Sequence, residues 1–277
     1  MSTPEHRWPA GAVVTGAGRG LGRQIARLLV DRGYQVLVTD VDEASARTAA
    51  AELGDLAEAM AVDVRDEAAV LAARDRVVDW AGRLDVWVNN AGVLLTGPVW
   101  EHDEQQRRRT LEVNALGTIT GTLAAIDAMR GSGGGHVVNI ASLAGLGAVP
   151  GEGVYAASKH AVMGFSLSAM ADLRAAKVKD IHISCICPDG IWTPMLRERL
   201  DDPGAALSFS GRLMQPREVV EAIDEVLDKP RLVTALPRWR GAVCRLGDVF
   251  PAVGLAGVPL LTARGRRVQR RLLRKRR

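Results

Sequence analysis

Apolar runs and helical stretches alternate along this chain, and that alternation restricts the fold more than any other feature. AVVT at 12–15 precedes a helical stretch from Leu21 to Asp31, QVLVTD at 35–40 precedes one through 43–53, and AEAMAVDV at 57–64 precedes one through 66–81, after which comes LDVWVNNAG. A long helix is expected from about 103 to 130, then HVVNIAS at 136–142, a helix through 153–177 and IHISCIC at 181–187. Strands this apolar, separated this regularly by helices, imply an α/β fold whose doubly wound parallel sheet is covered on both faces. No repeat or linker divides residues 1–236, which are expected to form one domain, with 237–277 as a C-terminal extension. At 277 residues and 47% hydrophobic content the chain can bury a large core.

The octet TGAGRGLG, Thr15 to Gly22, follows the first apolar run and opens the first helix. Glycines there let backbone amides at a helix N-terminus approach a pyrophosphate without Cβ obstruction. A plain strand-to-helix turn needs glycines too, and the spacing Gly16, Gly20, Gly22 differs from G-x-G-x-x-G. Asp40 ends the second strand, where a carboxylate accepts hydrogen bonds from ribose hydroxyls and repels a 2′-phosphate. Arg19, inside the loop, pulls the other way. NAD is favoured over NADP.

YAASK places Tyr155 four residues before Lys159, on one face of a helix. Such a pair is either a solvated helix face or a tyrosine acidified by a cation. A phenol near pKa ~10 needs about 4 kcal/mol of preferential phenolate stabilisation to act as a base near neutrality.

Together these motifs resemble the compact branch of the short-chain dehydrogenase/reductase family: the loop reads TGxxxGxG, Asp63-Val64 follows the third strand, NNAG (Asn89 to Gly92) ends the fourth, and YxxxK lies on the later helix. The resemblance spans nearly all of residues 10–236 and implies a Rossmann fold. It implies that Gly16, Arg19, Gly20, Leu21, Gly22, Asp40, Asp63, Val64, Asn90, Ala91, Gly92, Pro188, Ile191 and Thr193 border NAD, with Tyr155 and Lys159 also reaching it. It makes Tyr155 the general acid/base and Ser142 the residue that hydrogen-bonds the substrate oxygen. Lys159 lowers the tyrosine pKa and holds the nicotinamide ribose, and Asn114 positions a water in a proton relay. The reaction implied is interconversion of a secondary alcohol and a ketone on a lipophilic small molecule. Two other readings stay open: an epimerase or dehydratase of the extended branch, and a cofactor-binding sensor or scaffold working through the basic tail. A homodimer or homotetramer through the helices around 103–130 and 153–177 is also implied.

One position departs from the family pattern. CPDGIWTP carries Asp189 where the family has glycine, which raises the question of a left-handed backbone there or of a contact with substrate or a loop amide. Trp192, Met195, Leu196, Phe209 and Met214 are candidates to cover the substrate, with Leu143, Leu146 and Val149 lining its site. The histidines are scattered and His160 points away from the tyrosine's side of its helix, so no metal site is read.

Three cysteines without ligand spacing suggest reduced thiols in the cytoplasm, and MSTPEHRWPAG lacks the pattern of a cleavable leader. Residues 264–277 hold nine Arg or Lys and no acid, so the formal net charge of +4 hides a body near −5. In ARGRRVQRRLLRKRR, Val268 and Leu272 can share a face with Leu261, which suits peripheral contact with an anionic membrane; a solvated tail is the alternative. With no aromatic in the tail, no specific nucleic-acid binding is expected.

Overall fold

The computed structural model describes residues 10–276; the leader reading, on Met1–Pro9, and Arg277 lie outside them. Seven strands pair in parallel as one sheet: β1 (Gly11–Thr15), β2 (Gln35–Asp40), β3 (Ala57–Ala61), β4 (Val86–Asn89), β5 (Gly135–Ile140), β6 (Ile181–Pro188) and β7 (Val233–Leu236). Their order is β3-β2-β1-β4-β5-β6-β7. The chain winds one way from β1 to β3 and the other from β4 to β7, so a crevice opens at the carboxyl ends of β1 and β4.

The connecting helices are α1 (Gly20–Asp31), α2 (Glu43–Leu53), α3 (Glu67–Ala81), α4 (Glu104–Leu111), α5 (Gly117–Met129), α6 (Gly153–Ala175), α7 (Pro194–Arg197) and α8 (Pro216–Asp228), followed by α9 (Arg238–Val249) and α10 (Pro251–Arg276). Alternation along β1 sends Ala12 and Val14 to one face of the sheet and Val13 to the other. On the first face Ile25 and Leu29 of α1 meet Val219 and Ile223 of α8; on the second, Val77 of α3, Met129 of α5 and Leu173 of α6 pack around Trp87. Ile25 is wholly buried, so Ile25→Ala should cost roughly 2–5 kcal/mol through lost transfer energy and the cavity left.

The expected helix over 103–130 is broken into α4 and α5 by a π-helical turn, Glu112–Leu116, in which the Gly117 N–H reaches back to the Glu112 carbonyl. Asn114 sits in that turn and is fully buried. β7 and α8 escaped the sequence reading: VTAL is only four residues long, whereas α8 carried a legible signal in Val219, Ala222, Ile223 and Val226 at helical spacing behind a capping box between Gln215 and Glu218.

The basic tail is not a solvated coil. It forms the end of α10 and packs on the 3₁₀ segment Pro203–Phe209, with Val268, Leu272 and Leu273 against Leu196, Leu200, Ala205 and Phe209. Gln269 is buried and donates to the carbonyls of Arg199 (3.2 Å) and Asp202 (2.7 Å). The apolar face assigned to a membrane from the sequence, Val268 and Leu272, is therefore occupied within the chain. No helix among the described residues is long and apolar enough to cross a membrane.

Candidate active site

The glycine loop forms a cradle at the end of β1. Gly16 and Gly20 both have φ +62°, and a Cβ on Gly16 would stand 2.7 Å from the Ala91 Cα. A Cβ on Gly22 would collide with the Asn90 side chain, so all three positions of the spacing are used. The residue before α1, Arg19, gives no side-chain cap, which leaves the first amides of the helix available to a phosphate. Thr15, passed over in the sequence, latches this loop to the next: its Oγ1 accepts from the N–H groups of Asn90 (3.0 Å) and Ala91 (3.1 Å). The Asn90 amide returns to the carbonyls of Thr15 and Gly16, both at 2.9 Å.

Asp40 accepts from the Gly18 N–H (3.0 Å) and the Asp42 N–H (3.1 Å), so the acid that ends β2 also shapes the loop. Arg19 is exposed and pairs with Glu198 at 3.2 Å. Asp63 is held below the usual carboxylate range by hydrogen bonds from Arg65, and Val64 is buried beside Gly117. Asn89, the first residue of NNAG, belongs to the core rather than to the crevice. It joins the Trp87 indole, Thr122 and Asn139 in a buried network that continues to Ser166.

Asn114 accepts from the Val93 N–H (2.8 Å) and donates to the Val93 carbonyl (2.9 Å) and to the Ser158 hydroxyl (3.0 Å). Ser158 in turn donates to the Tyr155 carbonyl at 2.6 Å. The asparagine thus clamps the loop after β4 to the helix bearing Tyr155 and Lys159. A Cβ on Gly92 would lie 3.3 Å from Asn114 Oδ1 and 3.9 Å from Lys159 Nζ, so both side chains flank this glycine.

Ser142 follows β5, accepts from the Ala144 N–H at 3.1 Å and faces the Pro188 carbonyl at 3.5 Å. Lys159 is buried, donates to the Ile140 carbonyl at 2.8 Å and lies over the Tyr155 ring. Burial lowers its pKa to about 8. The expectation that this lysine brings the tyrosine toward neutrality is not met by the chain alone. Burial first, and the neighbouring Glu152 second, push the Tyr155 phenol up, against a smaller downward pull from the Ser142 hydrogen bond. The physical reason is desolvation: a phenolate in this chamber loses more hydration than the protein's own groups return.

Of the later motif, Pro188 ends β6, Ile191 pairs with Met214 in an isolated bridge, and Thr193 precedes α7. Asp189 answers the question of its glycine-like position. Its φ is not in the left-handed region, where Lys177 is the sole non-glycine among the described residues. Instead its carboxylate lies 3.1 Å from the Arg240 Nε of α9, in an ion pair that is nearly buried. Arg240 also donates to Ser210 at 3.1 Å. The extension is thereby fastened to the loop after β6.

A continuous cleft of about 580 Å³ runs from the glycine cradle past Tyr155 into a chamber. Leu143, Val149, Met195 and Leu196 line it as expected, whereas Trp192, Phe209 and Met214 serve packing behind it and Leu146 belongs to a core cluster with Val162 and Cys185. The sequence reading missed the walls supplied by the extension, Val243, Leu255, Val258 and Leu261. It also missed Glu152, 1% exposed, which accepts from the Ser208 hydroxyl at 2.6 Å and whose pKa burial raises to about 7. The signal for Glu152 was slight: an acid three residues before Tyr155, in a glycine-rich turn. His160 is exposed and bonds the Ala156 carbonyl, away from this site.

The chain's similarities follow this geometry. It is 34% identical over 219 residues to cyclopentanol dehydrogenase of Comamonas sp. (strain NCIMB 9872), covering 76% of this chain and 86% of that one. It is 32% identical over 237 residues to the bovine (Bos taurus) 15-hydroxyprostaglandin dehydrogenase [NAD(+)], covering 81% and 85%. A solved short-chain dehydrogenase/reductase from Burkholderia phymatum, in complex with NAD, superposes with a TM-score of 0.80 at 28% identity, over 89% of this chain and 95% of that one. Residues 10–204 match the family model for short chain dehydrogenase. With the cradle and the Ser142, Tyr155 and Lys159 group in one crevice, and Asn114 buried beside it, the chain belongs to the short-chain dehydrogenase family.

Proposed function

We propose that this protein is an NAD-dependent oxidoreductase that interconverts a secondary alcohol and a ketone on a lipophilic small molecule. The observation that carries the reading is the meeting of Ser142, Tyr155 and Lys159 where a glycine cradle opens into an apolar chamber. The cradle fits a dinucleotide because the first amides of α1 carry no side-chain cap and a Cβ at Gly20 would meet nothing nearer than Pro194 at 3.6 Å, while Gly16 and Gly22 let the loop pack against Ala91 and Asn90. Gly16, Gly20 and Gly22 would take the pyrophosphate, Asp40 the adenosine ribose, and Lys159 the nicotinamide ribose. When bound, the dinucleotide supplies hydride acceptance or donation at the carbinol carbon.

Tyr155 takes the hydroxyl proton in oxidation and returns it in reduction, while Ser142 donates to the substrate oxygen. Burial raises the phenol's pKa, so positive charge brought beside it eases the proton transfer, and Lys159, over the ring, is the cation the chain places there. Asn114 holds the loop after β4 against α6 and sits beside Lys159, a place from which a water relay to solvent can start. The apolar side chains of Leu143, Val149, Leu255 and Val258 along the cleft favour a lipophilic substrate.

The names of the relatives support alcohol oxidation with NAD, and the carboxylate of Asp40, bonded to the Gly18 amide of the glycine loop, supports NAD over NADP. Leu111, Leu116, Leu123 and Leu167 stand exposed on the helices around 103–130 and 153–177, which supports assembly as a homodimer or homotetramer through them. The test is a panel of cyclic and long-chain secondary alcohols with NAD and with NADP, followed by absorbance of the reduced nicotinamide. No turnover across the panel, with dinucleotide still bound, would favour the sensor reading.

A further inference from the structure

We propose that the hairpin formed by α9 and α10 docks the protein on an anionic lipid surface. Nine large apolar side chains of this hairpin are exposed, and six of them stand clear of the cleft: Trp239 (67%), Leu246 (61%), Val249 (68%), Phe250 (55%), Val253 (73%) and Leu260 (77%). An apolar concentration of this kind on one supersecondary unit marks an interaction surface. The two helices close tightly at its tip, since a Cβ on Gly254 would stand 2.8 Å from the Gly247 carbonyl oxygen. The apolar tip is thus a packed part of the fold.

Charge selects the occupant. At helical spacing, the outer stripe of α10 runs Val253, Gly257 and Leu260 and continues as Arg264, Arg267, Arg271 and Arg274. Those four arginines are exposed, and none of them pairs with a carboxylate among the described residues. From Arg238 to Arg276 the one acid is Asp248. A second copy docked on this face about a two-fold axis would bring arginine stripes together and be repelled. Anionic headgroups around a shallow apolar insertion meet both halves of the stripe. Because no described helix can cross a membrane, the hairpin lies on the surface.

The same helices bring Val243, Leu255, Val258 and Leu261 to the cleft, where Val243, Leu255 and Leu261 remain exposed at its open side. Docking would therefore set the chamber beside the lipid, and a lipophilic substrate would pass between them without crossing water; this last consequence rests on the dehydrogenase reading, whereas the docking does not.

The experiment is co-sedimentation of the full chain with phosphatidylcholine vesicles, with and without phosphatidylserine. The expected result is pelleting with phosphatidylserine vesicles that weakens at high salt. Leu246→Asp, Val253→Asp and Leu260→Asp together should reduce partitioning by about tenfold or more, with turnover of a water-soluble secondary alcohol and the thermal transition retained. Arg267→Glu with Arg271→Glu should abolish the preference for phosphatidylserine. Wild-type protein left in the supernatant with both vesicles overturns the proposal, as does a triple variant that pellets as well as wild type. A triple variant that changes only oligomer size would assign the face to a second copy instead. Vesicle binding without turnover of any alcohol upholds the docking and overturns the dehydrogenase reading.

Discussion

Lys159 Nζ stands 5.7 Å from the centroid of the Tyr155 ring and spends one donor on the Ile140 carbonyl, so the cation lies over the ring while strand β5 holds it in place. A lysine positioned this way keeps two further N–H donors, and the roles proposed for it, charge beside the phenol and a hold on the ribose, make different demands on the two side chains. The separation of roles can be measured. Tyr155→Phe should lower turnover by about a hundredfold or more, as expected for loss of a general acid/base, with dinucleotide affinity unchanged by fluorescence titration. Lys159→Ala should lower both turnover and dinucleotide affinity. Retained turnover in the phenylalanine variant would end the assignment of Tyr155.

Asp40 uses its carboxylate on the Gly18 and Asp42 amides and lines the cleft beside the glycine loop. Asp40→Ala should narrow the preference for NAD over NADP by about tenfold or more, corresponding to roughly 1.4 kcal/mol or more of lost repulsion. The ratio of kcat/KM for the two dinucleotides checks it. A wild-type enzyme that prefers NADP would transfer the selecting role to the exposed Arg19.

Arg240→Leu leaves Asp189 as a nearly buried acid without its cation, and Asp189→Gly leaves Arg240 in the same condition. Each single change should destabilise the fold by about 3 kcal/mol. The double change should cost less than the sum, a coupling that chemical denaturation resolves. Dinucleotide affinity should survive all three, since neither side chain holds the cradle. Additive costs would mean that the pair does not fasten the extension.

Glu152 has a folded pKa of about 7 against an ordinary value of 4.5. The unfolded chain therefore gives up this proton first. Stability from the group is intact below pH 4.5 and is lost as pH rises to 7 and beyond, by on the order of 3 kcal/mol in total. Glu152→Gln should remove that loss, flattening the stability profile between pH 5 and 8 in thermal unfolding. The same substitution removes a negative charge facing Tyr155, so the pH dependence of turnover should shift as well. Identical profiles for the two proteins would show that Glu152 does not titrate in this window.

The sheet and the cofactor crevice were legible in the sequence because their requirements are local. A glycine at φ +62°, a continuous apolar run such as β1 and an i, i+4 pair such as Tyr155 and Lys159 are properties of a few consecutive residues. The placement of Asn114 was legible as a helix position but not as a π-helical turn, because that turn comes with two hydrogen bonds to Val93 across the crevice. What only the tertiary structure decided was which distant side chains share the site. Asp189 looked like a backbone anomaly until Arg240, fifty-one positions later, arrived on α9 as its counter-charge. Val268 and Leu272 looked like a free amphipathic face until Phe209 and Leu200 covered them. Charge and apolar surface are satisfied by whatever packing brings within a few ångströms, and that distance is set by the whole fold, not by separation along the chain.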